Sequence, residues 1–443
     1  LQALGTGPVL SAPPATTAIT TTASPSSATT GLWRPGVRDA AHPGRWAREF
    51  ERRKAVLRAP GPEAALALLG ALIELQGEIP GAELLAFLEG ARKHREPLAA
   101  SYAGYLRAQL AEASGDQVAA TTIYQREGYL LDWQIVGPFE NTSRAGQGAV
   151  YGPETRAFDP AQIFLGKLPA EPLAWRRFLH AQAPRGAFIN LADFLPPHEQ
   201  ATGYATVWVK AARTGPAALH LGTSGAYKVW LDGQLVGEGD TYRTPTPLQE
   251  SHALTLRAGW NRLLVKLGSD EGMWGFYARL SAPDGAPLPG LVASVQPPAE
   301  PSAAPAVKVH DSKAMSSAPG AKVHDPKAMS SAPGAKAREP SAAPVAPKRA
   351  RSLRALLAER GEQPRARPAD KLALAEFYRW TLPFAAQDRT AVDAARAADD
   401  AAKTARSAQL LATLDPDQNT SRSALLAAVA RARAEGPASA PLL

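Results

Sequence analysis

"YKVWLDGQLVGEGD", residues 227–240, decides the fold. Asp232-Gly233 stands between alternating apolar residues, the signature of a two-residue hairpin turn that needs φ > 0 at both central positions. Such a turn sets Leu231 opposite Gln234, Trp230 opposite Leu235 and Val229 opposite Val236. Trp230 then falls on the reverse face from Leu231, where a half-buried sheet usually meets water.

The period of two extends outward from this hairpin. "DWQIVGPF", "AWRRFL", "YATVWVKA", "AALHLG", "HALTLRA", "NRLLVKLG" and "GFYARLSA" read as short strands separated by turn signals, with "APDGAP" as the closing turn. This is the pattern of an antiparallel β-sandwich over residues 127–295, not of βαβ units. Alternation assigns Ala205, Val207, Val209, Val229, Leu231, Val236, Leu263, Val265, Leu267, Phe276, Ala278 and Leu280 to the core between the sheets. The reverse set mixes Tyr204, Trp208, Lys228, Trp230, Lys266, Tyr277 and Arg279.

Either side of the sandwich the period becomes helical. Residues 33–126 carry "PGPEAALALLGALIEL", "PGAELLAFLEGARKHR" and "PLAASYAGYLRAQLAEASGD", with Pro at helix starts. Residues 351–436 carry Ala-rich helices whose hairpin spacing resembles tetratricopeptide repeats, an α-solenoid architecture. Residues 1–32 (Ser/Thr/Pro), 296–350 (a 14-residue repeat, "KVHDSKAMSSAPGA" then "KVHDPKAMSSAPGA") and 437–443 lack the apolar mass to order themselves and are expected to be a disordered leader, linker and tail. The expected fold class is multidomain α + β: a sandwich between two helical segments.

Composition narrows function. The 443 residues carry a net charge of +8, but scattered Lys and Arg without a recognition helix or aromatic RNA-binding strands do not mark a nucleic-acid partner. Zero Cys removes disulfides, thiolate metal sites and a Cys nucleophile. No apolar run reaches membrane-spanning length. There is no P-loop, GxSxG, HExxH or dinucleotide fingerprint. "DPDQNTSRS" spaces Asp415 and Asp417 as a calcium loop would, but Thr420 and Leu426 replace the turn Gly and the bidentate Glu, which leaves an inter-helix turn with capping oxygens. No cofactor is expected; calcium is the one ion that the loop acids around Asp240 and Asp270 suit.

Two readings of the aromatic face remain. In one, Trp208, Trp230, Tyr277 and Lys228 form a flat platform on which a sugar stacks; in its rim variant the contacts are Asp240, Tyr242, Trp260 and Trp274. The other reading is a structural adaptor whose aromatic face is sealed by its own helices, with cations snorkelling at the edge.

The hairpin together with "LRAGWNRLLVKLGSDEGMWGFYARLSAPDG" resembles the galactose-binding-like and PA14-like jelly rolls of bacterial secreted enzymes, through the Trp-Leu-Asp-Gly turn at 230–233 and Gly259, Asn261, Leu263 and Val265. More widely, helices, "LLDWQIVGPFEN", "YGPE", a jelly roll and further helices resemble the N-terminal part of exported bacterial proteins with a transglutaminase-like (papain-type) domain. The resemblance implies an exported, cell-envelope protein with binding and scaffold modules, partnered by glycan or by envelope protein. The absence of Cys implies that this chain does not carry the catalytic activity; a glycan-active enzyme, or a fragment of a larger catalytic protein, is the distant alternative.

Overall fold

The computed structural model describes residues 45–58, 61–74, 81–168, 171–182, 185–296, 352–381 and 389–435. The expected leader, repeat-bearing linker and tail lie outside these residues. Among the described residues five helices come first: α1 (Arg45–Val56), α2 (Pro62–Glu74), α3 (Gly81–Ala91), α4 (Pro97–Ala113) and α5 (Gln117–Arg126). Pro97 starts α4 at a position where no intrahelical N–H is needed, and the Asp116 side chain caps α5 by accepting from the Ala119 N–H.

Strands follow. They are β1 (Trp133–Glu140), β2 (Ile163–Leu165), β3 (Pro172–Ala174), β4 (Arg176–Phe178), β5 (Ile189–Asn190), β6 (Ala201–Ala211) and β7 (Gly215–Thr223). After these come β8 (Tyr227–Leu231), β9 (Gln234–Gly239), β10 (Glu250–Leu256), β11 (Gly259–Gly268), β12 (Gly275–Ser281) and β13 (Val292–Ser294). A single-turn helix α6 (Gly152–Thr155) and short 3-10 turns at Thr142–Gln147 and His180–Gln182 interrupt them. The helices resume as α7 (Leu353–Gly361), α8 (Pro368–Trp380), α9 (Thr390–Ala402), α10 (Ala405–Leu414) and α11 (Gln418–Glu435).

Strands β2 and β3 pair with each other, and the rest make two stacked antiparallel sheets. One runs β4-β1-β6-β11-β8-β9, with β13 also pairing β6; the other runs β10-β7-β12-β5. All twelve residues assigned by alternation to the inter-sheet core pack there, eleven buried and Val236 partly so. The hairpin turn forms as read, with φ of 49° at Asp232 and 82° at Gly233. Trp230 pairs Leu235 and Leu231 pairs Gln234, but Val229 pairs Gly237 rather than Val236, because a bulge falls between Val229 and Trp230. The His252 ring explains it: it lies on Gly237, where any Cβ would stand 2.5 Å from the ring.

The helical segments before and after the sandwich share one core. Leu68 and Leu69 of α2, Leu98 and Tyr102 of α4, Leu353 and Leu357 of α7 and Phe377 of α8 all belong to it. Arg360 meets Glu63 at 2.9 Å across the junction. Glu376 is buried; burial alone would raise its pKa, but the Arg406 guanidinium at 2.7 Å outweighs that and draws it down to about 2. Glu250 on β10 joins Arg243 at 2.9 Å and Arg354 of α7 at 3.4 Å, fastening the later helices to the sandwich.

Candidate functional site

The reverse set read from the sequence divides between two outer faces. Tyr204, Trp208, Trp230 and Lys266 lie on the outside of the β6-β11-β8 sheet, whereas Tyr277 and Arg279 lie on the outside of β12 in the other sheet. One continuous platform is therefore ruled out, and each half has its own cover.

Helix α4 covers the β12 face. Tyr277 is 5% exposed, with Tyr105 and Phe188 ring centroids at 6.0 and 5.1 Å. The Tyr102 hydroxyl donates to the Pro247 carbonyl at 2.7 Å. Arg279, fully buried, donates through Nε to the Glu127 carbonyl and through Nη2 to the Gly285 carbonyl. Gly128 brings the chain onto this face: its carbonyl accepts from the Leu280 N–H, its φ is 91°, and a Cβ there would clash with the Leu280 carbonyl oxygen.

The excursion between β1 and β6 covers the other face. Phe158 closes over Trp208, which is 6% exposed, edge-on to it at 4.7 Å, and Trp175 packs on Phe158 at 5.2 Å. Phe139, Phe164, Leu173, Tyr204 and Leu264 complete a small third core on which half-buried Trp230 rests. The "YGPE" stretch pins this cover. Glu154 accepts from the fully buried Lys266 ammonium at 2.8 Å and from the Tyr204 hydroxyl, and the Lys266 ammonium also donates to the Ala149 carbonyl oxygen. Burial pulls the Lys266 pKa down, against its hydrogen bond to Glu154, and burial together with Glu154 holds the Tyr204 phenol far above its ordinary value.

The rim candidates fare differently. Trp274 is fully buried in the inter-sheet core, its Nε1–H donating to the Leu267 carbonyl, so it faces no ligand from solvent. Trp260 is half-buried at the start of β11, with the Lys210 ammonium 6.0 Å from its ring. Lys228 is half-buried and pairs in register with Glu238. Asp240 is exposed and Tyr242 is buried nearby in the chain.

One arrangement at the rim escaped the sequence reading. The Arg144 guanidinium lies 4.3 Å from the Tyr242 ring centroid and is held by both Nε and Nη2 on Asp270 at 3.0 and 2.6 Å. Ser143 and Arg144 take φ of 53° and 63° to place it there, and fully buried Asn141 anchors the turn through the Ser269 carbonyl and the Gly146 N–H. Nothing in "NTSRAGQ" announces an αL pair, since neither residue is Gly. A hollow of about 510 Å³ lies between residues 129–132 and β13. At the far end, Asp417 caps α11 through the Thr420 N–H at 2.7 Å, so the calcium-like spacing serves as an inter-helix turn. Among the described residues no three His, Asp or Glu side chains gather as a metal site, and no helix is long and apolar enough to cross a membrane.

The fold and its covers define a two-sheet antiparallel sandwich seated in a helical body. No family model and no curated protein matches the chain. Among the solved structures that align with part of it are two glycosidases. A β-glucosidase from Kluyveromyces marxianus in complex with glucose is 18% identical over 34% of this chain and 16% of its own, with a TM-score of 0.22. An α-xylosidase of glycoside hydrolase family 31 from Xanthomonas citri is 16% identical over 28% and 14%, with a TM-score of 0.17. The chain thus spans under a fifth of either enzyme, and superpositions this loose carry no argument about its activity.

Proposed function

We propose that this chain is a non-enzymatic scaffold of the bacterial cell envelope, in which a jelly-roll-like sandwich is the rigid hub and the helices contact protein partners. The observation that carries this reading is the double cover: both outer faces of the sandwich are occupied by the chain itself, and the aromatic one is pinned through Lys266 and Glu154. A sugar platform needs open rings, and here Trp208, Tyr277 and Trp274 are buried.

The Arg144–Asp270 pair, which is open to solvent and lies over the buried Tyr242 ring, favours a second reading, a polar glycan contact at the sandwich rim beside exposed Asp240. Thermal-shift and tryptophan-fluorescence titrations with a broad panel of oligosaccharides decide between them. The scaffold reading expects no saturable response. A saturable shift that Arg144→Ala abolishes overturns it in favour of the rim.

A further inference from the structure

Resting on the scaffold reading, we propose that α11 docks an amphipathic helix from a partner protein, one whose apolar stripe is flanked by carboxylates about 16 Å apart. Helix α11 buries only Ala424 and Ala428, against its neighbours. At 100° per residue, Arg422, Leu426, Val429, Ala430 and Arg433 fall on the opposite side. Leu426 is 64% exposed, and Leu425 on the flank 46%. The outermost helix of a stacked array ordinarily turns a polar face to water; this one shows leucine between two arginines.

Charge identifies the occupant. Neighbouring helices in this part of the fold are fastened by arginine on carboxylate: Arg406 on Glu376 at 2.7 Å, Arg396 on Asp415 at 2.7 Å, and Arg431 on Asp399. Glu435 makes a contact of another kind, accepting from the Ala405 backbone N–H at 2.8 Å. Arg422 and Arg433 lie eleven positions apart on the outward face and have no ion pair among the described residues. A helix stacked there with acids at that spacing continues the arrangement. A second copy of α11 does not: antiparallel pairing sets Arg422 against Arg433, and parallel pairing sets each against itself, so like charges meet either way.

The test uses the full chain and two labelled synthetic helical peptides with the same leucine stripe, one flanked by glutamates eleven positions apart and one by lysines. Fluorescence anisotropy is expected to show saturable binding of the glutamate peptide only. Arg422→Glu/Arg433→Glu should weaken it at least tenfold and transfer binding to the lysine peptide. Leu426→Asp should abolish both. Arg422→Gln/Arg433→Gln repeats the loss of the glutamate peptide if the charge-reversed variant melts early. Equal binding of both peptides, binding of neither, or self-association of the free chain that Leu426→Asp dissolves overturns the proposal. None of these results bears on the sugar titrations, which test the scaffold reading separately.

Discussion

Lys266 shows what one buried charge does in this fold. An ammonium without water needs its acceptors supplied, and Glu154 and the Ala149 carbonyl supply them from a segment more than a hundred residues earlier. Taking away one partner leaves the other charge buried and unpaired, so Glu154→Gln is expected to destabilise the protein by about 3 kcal/mol in urea unfolding. Adding Lys266→Met to it should cost less than the sum of the two single changes, because the pair acts as a unit. His220 carries a pH dependence. Both ring nitrogens are held by hydroxyls, Ser251 at 2.6 Å and Ser281 at 2.8 Å, and burial pushes its pKa well below 6.5, with Arg279 and His252 adding to the shift. The unfolded chain therefore binds the proton more readily than the folded one. Stability is complete above about pH 6.5 and declines as the pH falls below it. The stability gap between the native protein and His220→Gln should narrow from pH 7.5 to pH 5, measured by denaturant midpoints; a gap constant with pH refutes the assignment.

Among the elements, the hairpin β8–β9 and the crossing at Gly128 depend most on backbone conformation. Gly233→Val places a β-branched residue at φ 82° and should cost on the order of 1–2 kcal/mol. Gly128→Ala meets both a positive φ and a backbone oxygen, so a loss on the order of 1–3 kcal/mol is expected, with increased amide exchange where α4 and α5 lie on β12. The strands themselves were legible because alternation is local: each of the twelve assigned core residues needed only its immediate neighbours to declare its side. The bulge was not, because it depends on a ring contributed by His252 from another strand. Nor was the cover over Trp208, whose strands β2 and β3 are three residues each and too short for a period to register. The opening puzzle of Trp230 had its answer in that irregular excursion rather than in any helix. The double αL turn at Ser143-Arg144 left no mark in residue type at all.

At the scale of the molecule, the two helical segments that the sequence presents as separate arrays form one apolar body. Inserting a protease site after Gly320 and cleaving it should leave two fragments that co-elute in size-exclusion chromatography, because Leu353, Leu357 and Phe377 are packed in the same core as Leu68 and Leu69. Fragments that separate in physiological salt would contradict a shared core. Sequence reading could not reach this union: it joins stretches more than two hundred residues apart, and hydrophobic periodicity says which side of a helix is apolar, not what lies against it.

That union also fixes an order of events on the ribosome. The first helices leave the exit tunnel long before α7 and α8 have been translated, and until then the side of α2 that will receive them stands bare to the cytosol or to whatever holdase greets it. The sandwich, complete within its own stretch, can mature in the interval. A nascent chain stalled near residue 345, with the stretch after residue 296 filling the tunnel, should accordingly present protease-resistant strands beside labile early helices, with resistance spreading backward to the amino end only once Trp380 has cleared the tunnel.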